Sequence, residues 1–201
     1  MAKKAKGKIG VIDFVVLGIL VVCLVLSIVG LSIDQWTTFE DVDGGISFSK
    51  YFDAAKEQNE RMEQLQSQID ETEEQLSKLE GMPGYDYIEE QLDALQKEYN
   101  EFRLENSKMI AMVAFAIITV ILVAVTLVLY VLKMFLNIGL FRVLVLVAGV
   151  LALIAAIITI ALVPGIAELS LMVVGAGAAM LAVGGMLGGL AGAASFILKK
   201  K

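Results

Sequence analysis

The sequence predicts an all-α membrane protein, with four transmembrane helices and an extracytoplasmic antiparallel coiled-coil hairpin between the first and the second. Three observations predict this fold class. Four stretches of the 201-residue chain carry almost no formal charge. Lys and Arg cluster beside only some of the segments that separate these stretches. A heptad repeat runs through the one long segment.

The four uncharged stretches are residues 14–33, 109–132, 143–163 and 169–198. A bilayer hydrocarbon core of about 30 Å needs about 20 apolar residues in a helix that rises 1.5 Å per residue. Each stretch is long enough, so membrane lipid is the expected surrounding. The first stretch exceeds the apolar region of roughly 7–15 residues in a cleaved signal peptide, and it is interpreted as an anchor helix.

Basic residues predict the orientation, because cytoplasmic loops and tails are rich in Lys and Arg. Residues 164–170 contain neither type, and they are predicted to lie outside with residues 34–108. The predicted domains are therefore 1–33, 34–108 and 109–201, in a cell membrane with both termini cytoplasmic. The segments predicted to be cytoplasmic carry Lys3, Lys4, Lys6 and Lys8, then Lys133 and Arg142, then Lys199, Lys200 and Lys201.

The long outer segment is strongly acidic and has a heptad pattern. Residues 34–108 hold 20 acidic and 7 basic side chains, a formal charge of −13. Gly81, Pro83 and Gly84 separate two apolar seams, and Asp86 with Glu89 suits a helix N-cap. Two helices joined by a tight turn are expected to bury their seams against each other. The predicted seams are Met62, Leu65, Ile69, Leu76 and Leu79, followed by Ile88, Leu92, Leu95, Tyr99 and Phe102.

Residues 34–50 differ from the hairpin that follows them. Trp36 lies just beyond the first apolar stretch, where an indole prefers the bilayer interface, and it is predicted to be an interface anchor. Glu40, Asp41 and Asp43 precede Gly44 and Gly45, so they offer oxygen ligands near a turn. Their spacing is not that of a calcium-binding loop, which favours a plain acidic turn over a metal site.

Small residues form a stripe along the fourth predicted span. Gly184, Gly188 and Gly192 repeat every four residues, with Gly185 and Gly189 on the adjoining stripe. Helices in lipid associate through close backbone contact, which small residues permit. Packing within the bundle is the favoured interpretation, and packing between copies of the protein is the alternative.

The sequence offers little catalytic chemistry. It contains no His, and its single cysteine, Cys23, falls inside the first apolar stretch. Pumps and coupled transporters need buried ionisable groups, and the predicted spans contain no Lys, Arg or Glu. Asp13 lies near the predicted membrane surface. The chain is therefore predicted to be no enzyme, and to have no catalytic residue, cofactor, metal, nucleic acid or small-molecule substrate.

The chain resembles the claudin-type tetraspan membrane proteins in topology. The resemblance consists of four spans, a large first outer loop with Trp36 soon after the first helix, and Gly45 and Ile46 in place of that family's Gly-Leu-Trp. The chain lacks the family's cysteine pair. The resemblance implies a non-enzymatic adhesion, scaffold or accessory role.

These observations predict a membrane scaffold or accessory subunit that binds protein partners through the acidic hairpin. The alternative is a homo-oligomeric pore or channel subunit, assembled by self-association of the glycine-rich fourth helix. A pore needs a polar lining. The polar residues that the spans offer for it are Thr119, Thr126, Thr159 and Ser195.

Overall fold

The protein is predominantly helical, as the sequence predicts. Its structure, a computed structural model, describes residues 10–39, 45–136, 138–167 and 172–197. Within these residues five α-helices and three short β-strands occur. In chain order they are α1 (Val11–Ser32), β1 (Thr37–Phe39), β2 (Gly45–Ile46), α2 (Phe48–Lys78), α3 (Tyr85–Leu136), α4 (Gly139–Ala167), β3 (Met172–Val174) and α5 (Ala176–Ile197).

Four of the helices contain segments long and apolar enough to cross a membrane, namely Val11–Ser32, Asn106–Leu136, Gly139–Val163 and Ala176–Phe196. These segments suit a multi-pass membrane protein. The fourth begins later than predicted, because residues 172–174 pair as β3. Uncharged composition marks apolar residues, but it does not distinguish a strand from the helix that follows it.

Two predicted loop positions belong to helices. Lys133 was expected beside a loop, yet α3 continues to Leu136 and places this lysine inside the helix. Pro164 was expected to begin a loop, yet α4 continues to Ala167. Pro164 removes one amide donor from the last turn of α4, and the helix ends three residues later at Ala167.

The three strands form a small antiparallel sheet in the order β2-β1-β3. Thr37 is paired with Ile46 on one side and with Val174 on the other. The sheet joins the segment after α1 to the segment before α5. Strands of two and three residues are too short to show alternation, so the sequence did not predict this sheet.

The described residues fall into two compact units. The two-helix unit is Lys50–Ile110, and the bundle unit takes the described residues up to Ser49 and from Ala111 onward. The bundle unit thus extends past residue 33, where the sequence predicts the start of the outer segment. Because β1 pairs with both β2 and β3, the described residues between α1 and α2 belong to the bundle unit.

The core of the bundle unit is formed by all four apolar helices. Val16 and Leu20 of α1 cluster with Tyr130 of α3 and Val145 of α4, and Ala191 of α5 packs against them. A second cluster joins Cys23, Val123 and Ala152. α5 packs against both α1 and α4.

In the two-helix unit, α2 and α3 are joined by a turn that requires two glycines. Gly81 and Gly84 adopt φ angles of +77° and +101°, which are favourable only for glycine. α3 begins at Tyr85, so Asp86 lies in the first turn of the helix and is not its N-cap. The backbone N–H of Ile88 donates to the Gly84 carbonyl at 3.2 Å, so the helix begins two residues earlier than the capping pattern indicated.

Candidate functional site

The apolar seams of α2 and α3 face inward within the two-helix unit. All ten seam residues are buried or half-buried, and Leu65, Ile69 and Leu92 are buried to 9% exposure or less. The charged residues between them are exposed. The ten residues that the heptad spacing selects are thus less exposed than the charged residues between them.

Three polar contacts join the two helices. The Arg61 guanidinium lies 3.5 Å from Glu98 Oε1 and 5.0 Å from the centre of the Phe102 ring. Near the other end of α2, Gln96 Nε2 lies 3.4 Å from Glu73 Oε1. Arg61, the earlier of the two α2 residues, therefore contacts residues of α3 that follow Gln96, the partner of Glu73. Contacts in this order are typical of antiparallel helices.

The outer surface of the two-helix unit is strongly acidic. Residues 50–110 hold 16 acidic and 7 basic side chains. The ion pairs found in this unit involve side chains that are more than half exposed, so water and salt screen each of them. Lys78 donates to Glu74 at 2.6 Å, and this hydrogen bond, assisted by the positive charge, lowers the pKa of Glu74.

The glycines of α5 contact other helices of the same chain. A Cβ atom at Gly184 would lie 2.7 Å from the Cys23 carbonyl oxygen of α1, and one at Gly189 would lie 2.6 Å from the Gly149 oxygen of α4. Gly185 and Gly192 face threonine methyl groups of α3 at 2.6 and 2.9 Å on the same measure. Gly188 has more room, with its nearest atoms at 3.4 Å. The stripe therefore packs within the chain.

Trp36 is buried, which corrects its prediction as an anchor at the bilayer interface. Its side chain has no exposed area, and its Nε1 donates to the Gly30 carbonyl at 2.6 Å. The ring lies 4.8 Å from that of Phe48 and packs against Gly177, where a Cβ would come within 2.5 Å of the indole. The indole is thus satisfied inside the protein, and it packs between the ends of α1 and α5.

A buried polar cluster that the sequence analysis missed joins α1, α3 and α5. The Tyr130 hydroxyl lies 3.2 Å from Asp13 Oδ1, and Lys133 Nζ donates to the Ser195 carbonyl at 3.1 Å. Lys133 Nζ also lies 4.7 Å from the centre of the Tyr130 ring. Asp13, Tyr130 and Lys133 are each at most 7% exposed. The one feature of the sequence that could have indicated this cluster is the three-residue spacing of Tyr130 and Lys133, which places both on one face of a helix.

The hydroxyl groups that could line a pore are buried and satisfied by their own helices. Each donates to a backbone carbonyl three or four residues earlier. The distances are 2.8 Å for Thr119, 2.7 Å for Thr126, 2.8 Å for Thr159 and 2.7 Å for Ser195.

The described ranges contain no group of three or more His, Cys, Asp or Glu side chains that could hold a metal ion. Glu40, Asp41 and Asp43 lie outside those ranges, as do the basic residues of both termini. Comparison with protein family models, with curated proteins and with solved structures finds no match. Fold and sites therefore define a class, a helical protein with four candidate membrane spans and an acidic two-helix unit.

Proposed function

We propose that this protein is a non-enzymatic membrane scaffold or accessory subunit that binds protein partners through the acidic two-helix unit. The observation that carries the proposal is the arrangement of that unit. Its apolar seam residues are buried or half-buried within the unit, and an excess of carboxylates is exposed on its surface. Such a surface attracts basic partners and discourages unselective apolar association.

In this proposal the two helices form an antiparallel coiled coil on the outer face of a cell membrane. The buried seams and the contacts from Arg61 and Gln96 support the pairing. The distribution of Lys and Arg supports the orientation. The sheet adds support, because it joins β3 to the strands after α1, and both segments are expected on the outer side.

The claudin-type relationship remains a proposal at the level of topology. The pore alternative has less support. The four hydroxyl groups that this alternative assigns to the pore lining are buried within the bundle unit. The glycine stripe that it assigns to contacts between copies lies against α1, α3 and α4 of the same chain.

The orientation is tested by labelling intact cells with a thiol reagent that does not cross membranes. Cys23 is first replaced by Ala to remove the background thiol. In this variant Ser67→Cys should react, because Ser67 is exposed and predicted to lie outside. Lys200→Cys should react only after the cells are permeabilised. The opposite pattern contradicts the orientation.

The binding role is tested by quantitative purification of the full-length protein in mild detergent. Glu57, Glu60 and Glu71 are exposed on α2, and their replacement by Gln neutralises part of the acidic surface without altering the seam. Co-purifying proteins should be depleted in this variant. A control that replaces exposed Lys56 and Lys97 with Gln should retain them. Equal recovery from both variants contradicts the proposal.

A further inference from the structure

The turn of the two-helix unit presents a defined shape. We call residues 80–87 the tip. Gly81 and Gly84 adopt their positive φ angles there, and the Met82 amide donates to the Leu79 carbonyl at 2.8 Å. α3 then begins immediately at Tyr85. The tip is therefore a formed turn whose backbone path is set by local hydrogen bonds.

Two large apolar side chains of the tip contribute little to the packing of the helices. Met82 is 57% exposed and Tyr87 is 63% exposed, while Leu79, Tyr85 and Ile88 beside them are half-buried. The Tyr87 hydroxyl receives a hydrogen bond from Gln91 at 2.9 Å, on its own helix. Tyr is enriched among the energetically dominant residues of protein interfaces, and Met among interface residues generally.

A cleft lies beside the tip, between α2 and α3. It encloses about 330 Å³ and is lined by Glu73, Leu76, Ser77, Glu80, Tyr85 and Leu92. That volume is near the lower end of the roughly 300–1,000 Å³ of small-molecule sites. Apolar walls with carboxylates suit an Arg or Lys side chain, whose stem packs on apolar groups while its charged end reaches the acids.

The charge around the cleft favours the same occupant. Between Lys78 and Lys97 the chain carries five acidic residues and no basic one, and Lys78 itself pairs with Glu74 at 2.6 Å. An anionic lipid surface would be repelled by this segment, whereas a basic protein surface would be attracted.

We propose that the tip and its cleft form the docking site for a basic protein partner. An Arg or Lys of the partner enters the cleft between Glu73 and Glu80, and an apolar residue beside it packs on Met82 and Tyr87. This inference rests on the proposed function, and it assigns both the binding region within the two-helix unit and the chemistry of the partner.

The test uses the full-length protein in detergent micelles and a phage library of random peptides as the probe. Enriched peptides should combine Arg or Lys with a neighbouring Leu, Phe or Met, and their binding should weaken as salt is raised. We expect Met82→Ser with Tyr87→Ser, and separately Glu73→Gln with Glu80→Gln, to weaken the best peptide about tenfold or more.

Leu104→Ser is the matched control, because Leu104 is 75% exposed on the same helix but lies away from the tip. It should bind the peptide like the wild type. The inference is overturned if neutral or acidic peptides are enriched, or if the variant with Met82→Ser and Tyr87→Ser (the tip variant) enriches peptides as well as the wild type does. It is also overturned if Leu104→Ser weakens peptide binding as much as the tip variant does. Circular dichroism of each variant must match the wild type, since the replaced side chains are exposed or line an open cleft.

Failure of this inference can be separated from failure of the proposed function. If cellular proteins co-purify equally with the wild type and the tip variant but are lost when α2 is neutralised, the scaffold role stands and the tip assignment is wrong. If neutralisation of α2 has no effect either, the proposed function is itself contradicted.

Discussion

Two neighbouring glycines of α5 allow the packing of the bundle unit to be tested by a matched pair of substitutions. A Cβ at Gly189 would lie 2.6 Å from the Gly149 carbonyl oxygen and 2.8 Å from Leu153 Cβ, whereas one at Gly188 would be no closer than 3.4 Å to the other helices. Gly189→Ala therefore forces backbone of α4 away from α5. Gly188→Ala fits an ordinary van der Waals contact.

The expected difference follows from two effects. Both variants gain the same helix propensity, about 1 kcal/mol in favour of Ala. Only Gly189→Ala incurs overpacking, which typically costs about 1–3 kcal/mol. Gly188→Ala should thus be neutral or more stable than the wild type. The free energy of unfolding of Gly189→Ala should be about 1–3 kcal/mol lower than that of Gly188→Ala. The helix-propensity gain is common to both variants, so it cancels in this difference.

The assay is reversible unfolding in mixed micelles with increasing sodium dodecyl sulfate. Trp36 is the single tryptophan and is buried, so its fluorescence reports the opening of the bundle unit. Light scattering after size exclusion should show the same oligomeric state for both variants and the wild type. Equal stabilities, or a greater loss for Gly188→Ala, would refute the reasoning. A change of oligomeric state in Gly189→Ala alone would place the stripe between copies.

Three further predictions concern the polar cluster, the seam and an ion pair. Tyr130→Phe removes one of the donors to buried Asp13 and should cost about 1–3 kcal/mol in the same assay, whereas Tyr87→Phe, an exposed control, should change stability by less than about 0.5 kcal/mol. Leu92→Ser at the buried seam should open the two-helix unit to limited proteolysis, and Leu104→Ser, exposed on the same helix, should leave the digestion rate near that of the wild type. Glu74 should titrate below its ordinary pKa in a carboxyl NMR experiment, and Lys78→Met should raise its pKa again. Because the pKa of Glu74 is lower in the folded state than in the unfolded state, the small stabilisation from this pair is present above the unfolded-state pKa. It is lost as the pH falls through the folded-state pKa. An unchanged carboxyl titration in Lys78→Met would show that the pair does not form.

Local patterns in the sequence determined the helices of this protein, but not its three strands. Runs without charge identified four apolar helices, and three-and-four spacing identified the residues that α2 and α3 bury. Glycines flanking a proline located the turn, where both take positive φ. These features depend on periods of a few residues, so each could be recognised without knowledge of what lies opposite.

Tertiary structure alone decided which elements meet. The pairing of β1 with β3, the packing of Trp36 against Gly177, and the contact between Asp13 and Tyr130 join residues far apart in the chain. The sequence showed the four-residue period of the glycine stripe. It did not show which glycine leaves room for a larger side chain, because that space depends on the opposing helix. Hydropathy measures the transfer of a residue into an apolar medium, whereas these contacts depend on the shape and hydrogen-bonding groups of the facing surface.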